Sequence, residues 1–175
     1  MRARESLRTP TVPDYSPAPD EPRDVRLRQL DRVRDALEQA RAVIARDGWT
    51  SGAWFTVESS SGARQAAPSE AYALLDPRST VVSACLVGTL LRLADDPDRA
   101  TSVRDVRACV DELYEATHEQ MGHSPRPAGR SFPVTEQRAR LQAVTAWNDA
   151  PGRTREQVLD VLDRAISRTI VAACS

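Results

Sequence analysis

The sequence contains no lysine: all 24 of its basic residues are arginine, set against 25 acidic residues for a formal charge of −1. That balance excludes a nucleic-acid binder working through bulk electrostatics. Arginine can be selected for bidentate anion binding, but here it is scattered and interleaved with Asp and Glu. Cysteine is scarce too. Cys85, Cys109 and Cys174 are an odd, widely spaced set, which makes neither a disulfide framework nor a zinc site. There are two histidines, five residues apart, and no acidic pair completes a metal site with them. No phosphate loop, dinucleotide fingerprint, nucleophile elbow or zinc-protease motif is found, so no cofactor is implied. The longest nearly uncharged stretch runs from Ser79 to Leu91, short of the roughly 20 apolar residues of a membrane helix. The N-terminus, MRARESLRTPTVPDY, lacks the apolar run of a signal peptide. Together these absences predict a soluble, reduced, cytoplasmic protein with no membrane or nucleic-acid partner.

What is present reads as one mostly α domain. Residues 1–23 hold five of the twelve prolines and few large apolar groups. Such a segment buries too little surface to offset its ordering entropy and is read as a disordered tail. Residues 24–175 form the single helical domain. Leu30, Val33, Leu37, Ala40 and Ile44 make one helical stripe, with Gly48 as a natural terminator. Trp54–Val57 has strand character, and ARQA after ESSSG predicts its return as a small hairpin. Ser69–Leu75 is read as a turn of helix before Pro77. A second, largely apolar helix is expected from about Ser79 to Ala94, with Cys85 one turn in and Gly88 marking a close neighbour such as a tryptophan ring. The third begins after Thr101 or Ser102, its inner stripe Val103, Val106, Val110, Leu113 and Thr117. HSPRPAGRSFP is a loop. A fourth helix opens at Thr135 and turns Leu141, Val144 and Trp147 inward. The fifth is announced by Thr154 and Gln157, a capping box, ahead of the stripe Val158, Leu159, Leu162, Ala165, Ile166 and Ile170. The expected fold is a compact bundle of about five helices with one small β-hairpin.

Four short motifs stand out together: Trp49-Thr50-x-Gly52, Cys85-Leu86-x-Gly88-x-Leu90, Trp147-Asn148-Asp149, and Arg153-Thr154 leading into Val158, Leu162, Ala165 and Ile166. In this combination the chain resembles a family of small actinobacterial and phage-encoded proteins classed as a domain of unknown function, over about residues 27–170. The resemblance implies a compact helical fold and carries no activity.

Two groups of residues could carry function. Free backbone N–H groups at a helix start can lower a thiol pKa, so Cys85 with His118 and Asp149 could act as a cysteine-dependent acyl-transfer or hydrolase-type enzyme. Against this, free cysteine is among the most buried residue types, and Cys85 has apolar neighbours. The other group is Trp49, Trp54, Trp147, Asn148, Asp149 and Arg153. Three indoles dominate a chain with this few aromatic residues, and Asn, Asp and Arg beside them could hold a polar ligand, although Asn148 and Asp149 are also ordinary helix-end residues. The preferred reading is a small cytoplasmic module that binds a partner protein or small-molecule ligand non-catalytically, in a regulatory or accessory role. A homo-oligomer burying the same patch is the third reading.

Overall fold

A computed structural model describes residues 22–59, 62–66, 80–96, 101–130 and 132–175. The tail assigned to residues 1–23, apart from its last two positions, and the helical turn expected at Ser69–Leu75 lie outside the described residues.

Five helices and three strands are described: α1 (Arg23–Asp47), β1 (Phe55–Ser59), β2 (Gly62–Ala66), β3 (Thr80–Ala84), α2 (Leu86–Asp95), α3 (Val103–Gln120), α4 (Val134–Asn148) and α5 (Arg155–Ala173). The mostly α expectation holds. α1 packs along α5 and also against α2 and α3, while α4 lies on α3. Leu37, Ile44, Leu86, Leu90, Leu113, Val144, Val158 and Leu162 are buried where these helices meet. Each such side chain is worth roughly 1.5–3 kcal/mol once removed from water.

Thr154 caps α5 with Gln157 reciprocating, as the sequence predicts. Ser102 caps α3 in the same way, with Asp105 answering. Two positions assigned to inner stripes face solvent: Val103, at the first residue of α3, is 60 % exposed, and Ile170, near the end of α5, is 45 % exposed. Val103 stands at the exposed start of its helix, whereas Ile170 is turned off the face that stays buried as far as Thr169. Val161 and Thr169, outside the predicted stripe of α5, are buried instead.

The hairpin is present, with β1 and β2 antiparallel and Phe55 opposite Ala66. It is not alone. The run from Ser79 to Ala94 is not one helix: its first part is β3, which pairs antiparallel with the other edge of β1 and places Ala84 opposite Phe55. Thr80, Val81 and Val82 are suited to a pleated, half-buried surface, and β1 offers them an unpaired edge. The order is β2-β1-β3. Phe55, Val57, Ala66 and Ala84 form a small second core on its inner side. α2 therefore starts at Leu86, and Cys85 is its N-cap rather than a residue one turn inside it.

Candidate functional site

The sheet, the start of α2 and the end of α4 meet at Asn148. This last residue of α4 is 1 % exposed. Its Oδ1 accepts from the Trp49 indole Nε1–H at 2.8 Å and from the Leu86 N–H at 3.3 Å. Its Nδ2 donates to the Thr50 carbonyl at 3.3 Å and to Asp149 Oδ1 at 2.7 Å. Both donors and both acceptor positions of the amide are used. Asp149 Oδ1 also accepts from the Gly52 N–H at 2.9 Å. The turn following α1 is thus riveted to the end of α4, nearly a hundred residues on.

The turn reaches this place because the backbone around it is fixed. Gly48 ends α1 with φ +103°, a left-handed conformation suited to glycine. Trp49 then bridges to Ala84, and the Thr50 N–H donates to the Ala84 carbonyl at 3.3 Å. On the far side, Cys85 N–H donates to the Trp54 carbonyl at 3.0 Å. A Cβ on Gly88 would stand 2.4 Å from that carbonyl oxygen and 3.2 Å from the Phe55 ring. The close neighbour read from Gly88 is therefore the Trp54 backbone with Phe55, not an indole.

Cys85 is 2 % exposed, and its Sγ accepts from the Gly88 N–H at 3.3 Å. Burial pushes its thiol up to about 11; the Gly88 and Val87 N–H groups oppose the shift, and the Asp149 carboxylate adds to it. His118 lies in the last turn of α3. Its ring stacks on Tyr114 at 3.9 Å between centroids, its Nδ1 is 3.1 Å from the Tyr114 carbonyl, and His123 is its other ring neighbour. Among the described residues neither imidazole shares a hydrogen bond with Cys85. So the fold brings Cys85 and Asp149 near one another, and pairs His118 elsewhere.

Trp147 and Arg153 form a second pair, beside Asn148 in the chain. The Arg153 guanidinium sits 3.7 Å over the Trp147 ring, donates from Nε to the Trp147 carbonyl at 3.0 Å and reaches Gln157 from Nη1 at 3.3 Å. Such stacking is worth about 0.5–1 kcal/mol at an exposed site. Trp49, Trp54 and Trp147 are all half-buried against the main core. Asp149 is exposed.

The four sequence motifs therefore meet in one neighbourhood. Residues 28–168 match the family of unknown function DUF6197. The chain belongs to that family. No curated protein and no solved structure matches it. In this DUF6197 chain, among the described residues, no helix is long and apolar enough to cross a membrane, and no group of His, Cys, Asp and Glu side chains could hold a metal ion.

A second polar assembly had no counterpart in the sequence reading. Arg140, on α4, is 2 % exposed. Its Nη2 donates to Glu115 at 2.7 Å and to Glu136 at 3.1 Å, while Asp111 Oδ1 stands 3.8 Å from Nη1. The rings of Phe132 and Tyr114 lie 3.5 and 4.5 Å from its guanidinium carbon. Asp111, Glu112 and Glu115 are buried on α3, on the turns that also bury Val110, Leu113 and Ala116. The readable signal was carboxylates at positions 111, 112 and 115 inside an apolar helix, with an arginine and a glutamate four apart on α4 to meet them.

Proposed function

We propose that this protein is a non-catalytic binding module of the cytoplasm, and that it receives a partner protein or a small polar ligand on the face framed by Trp49, Trp54, Trp147, Asp149 and Arg153. The carrying observation is the convergence on Asn148. Three segments far apart in sequence are tied together by side-chain bonds; Trp49 and Asp149 bond Asn148 itself, Arg153 stacks on the adjoining Trp147, and Trp54 gives its carbonyl to the Cys85 N–H. Rigid presentation of aromatic groups beside charged ones is what binding surfaces use for affinity and orientation. Asn148 is saturated and serves as the frame; the contacts to a ligand fall to Asp149, Arg153 and the indole edges.

A cysteine-dependent enzyme using Cys85, His118 and Asp149 is the rival. Nucleophilic catalysis needs an accessible thiolate and a base within hydrogen-bond reach. The buried, hydrogen-bonded thiol of Cys85 supports the binding reading over this one.

Native mass spectrometry of the protein isolated from its source cells, beside Arg153→Ala, tests the proposal. A specific protein or small molecule carried by the wild type and lost by the variant, which still melts cooperatively, is the expected result. If nothing bound depends on this face, the reading fails. Alkylation mapped by mass spectrometry separates the rival. Cys85 is expected to stay silent until unfolding, while exposed Cys174 reacts. Rapid native labelling of Cys85 near neutral pH would move the enzyme to the front.

A further inference from the structure

The assembly around Arg140 does more than fill space, because its carboxylates also hold the chain between α3 and α4. Glu115 Oε2 accepts from the Arg126 N–H at 2.8 Å, and Glu112 Oε1 accepts from the Gly129 N–H at 2.9 Å. Arg126 donates from its side chain to Glu136 at 2.7 Å, and Arg168 of α5 donates to Glu112 at 3.1 Å and to the Arg126 carbonyl at 2.6 Å. Residues 123–130 have no regular secondary structure. These side chains are what fasten them to the bundle. Their outer side, Pro125 to Ala128, forms one wall of a groove of about 850 Å³ whose other walls include Asp160 and Arg164 of α5.

The charges in this assembly do not cancel. Arg140, Arg126 and Arg168 face Asp111, Glu112, Glu115 and Glu136. With every carboxyl ionised, one negative charge is left over. Asp111 is the member with the poorest compensation. It is 4 % exposed, its nearest cation is Arg140 at 3.8 Å, and Arg140 Nη1 has no hydrogen-bond partner. The remaining carboxylates around it, Glu112 and Glu115 on its own helix and Glu136 on α4, all repel its charge. Other neighbours of α3 are engaged apart from it. Arg32 of α1 holds Asp105, Arg92 of α2 faces Asp47, and His118 lies on Tyr114 with His123 beside it. Glu119, at the exposed end of α3, meets Arg168 at 3.9 Å.

We propose that Asp111 and Arg140 form a proton-operated clasp on residues 123–130, closed while Asp111 carries its proton and loosened when that proton leaves to solvent. With Asp111 neutral, one guanidinium is shared by Glu115 and Glu136, and the carboxylates keep their hold on the Arg126 and Gly129 amides. Once Asp111 ionises, an uncompensated charge sits in a low-dielectric interior. Water entry relieves it, and the route the proposal assigns to that water is past residues 123–130, whose Arg126 and Gly129 amides hang on the neighbouring carboxylates Glu115 and Glu112. Burial pushes the Asp111 carboxyl up to about 7, with Arg140 opposing the shift, so the clasp works in the neutral range. The groove gains or loses one wall as it does so.

The test follows the Asp111 side-chain carboxyl by carbon NMR across the neutral range in the full chain, together with hydrogen exchange at the Arg126 and Gly129 amides. The expected Asp111 midpoint is near 7 in place of the ordinary 3.8. Both amides should gain a step in exchange at that same midpoint, above the smooth rise set by base catalysis, and Asp111→Asn should abolish the step. An Asp111 midpoint near 3.8 overturns the proposal. So does an unchanged step in Asp111→Asn. Should that variant fail to fold, the wild type decides alone: amide steps at the Asp111 midpoint support the clasp, and their absence there ends it.

Discussion

Asn148 satisfies four polar partners with one amide, and each of them loses that bond if it is cut back. An unsatisfied buried donor costs about 1–3 kcal/mol. Asn148→Ala strands the Trp49 indole N–H and the Leu86 N–H, so a loss of roughly 3 kcal/mol is expected in urea unfolding. Asn148→Asp should also destabilise, because it sets a second carboxylate against Asp149. Double-mutant analysis with Trp49→Phe should show the two sites coupled rather than additive. The sequence marks this dipeptide as notable but assigns it to a local role. Helix-end Asn commonly adopts a left-handed conformation and Asp commonly bonds nearby amides. Here no residue other than glycine has positive φ among those described, and the Asp149 partner is Gly52. A bond across nearly a hundred residues has no local signature. The pairing of Trp49-x2-Gly52 with Asn148-Asp149 was therefore invisible although both halves could be singled out.

At the scale of the element, local chemistry was read well where it was local. The capping box at Thr154 and Gln157 is self-contained in four residues and stands as predicted. The misreading of Ser79–Ala94 has the opposite cause. A run apolar on both sides fits a buried strand and a buried helix equally, since periodicity cannot tell them apart. The choice was made by the open edge of β1 and by Cys85, whose backbone N–H is taken by Trp54 while its sulfur caps Gly88. The cap of α3 supports a pH-dependent prediction. Burial works to raise the Asp105 carboxyl, but hydrogen bonds from Ser102 and the Arg32 guanidinium outweigh it and hold the carboxyl below its ordinary value. A depressed carboxylate stabilises the fold above its unfolded pKa, and that stability is lost as pH falls through the folded one. Ser102→Ala is expected to destabilise by about 1 kcal/mol at neutral pH. The deficit should shrink below pH 3.8, where wild type loses the same interaction. Thermal melts of both proteins at stepped pH check it.

For the whole molecule, the composition is close to neutral, yet its distribution is not what patterning suggests. The helical stripes located most of the main core, because burying apolar area is the term that dominates folding. They could not place Arg140 among the fully buried side chains, since an arginine is read as solvated unless its partners are known. Those partners lie on α3 and on α4 itself and become visible only once the two helices are packed. Arg140→Ala leaves Asp111, Glu115 and Glu136 without their shared cation, and removal of one member of a buried ionic group costs about 3–5 kcal/mol. Chemical denaturation is expected to show a loss of that order. The loss should be larger above the Asp111 midpoint than below it, because Arg140 opposes the upward shift of Asp111, and without it ionising that buried carboxyl takes more stability from the folded chain as pH rises.

The rivet at Asn148 also bears on the order in which the chain assembles. Its bonds join residues 49–52 to residues 148–149, so their closure must await a large loop, whose entropy is lost before any contact rewards it. The helical hairpin of α3 and α4 and the β1–β2 turn can form from near neighbours first. The tie is then a late event on the folding path, absent from the transition state. Mutations in it should leave the refolding rate nearly untouched and appear almost wholly as faster unfolding. The residue that frames the proposed binding face is, in that case, also the one that sets how long a folded molecule lasts.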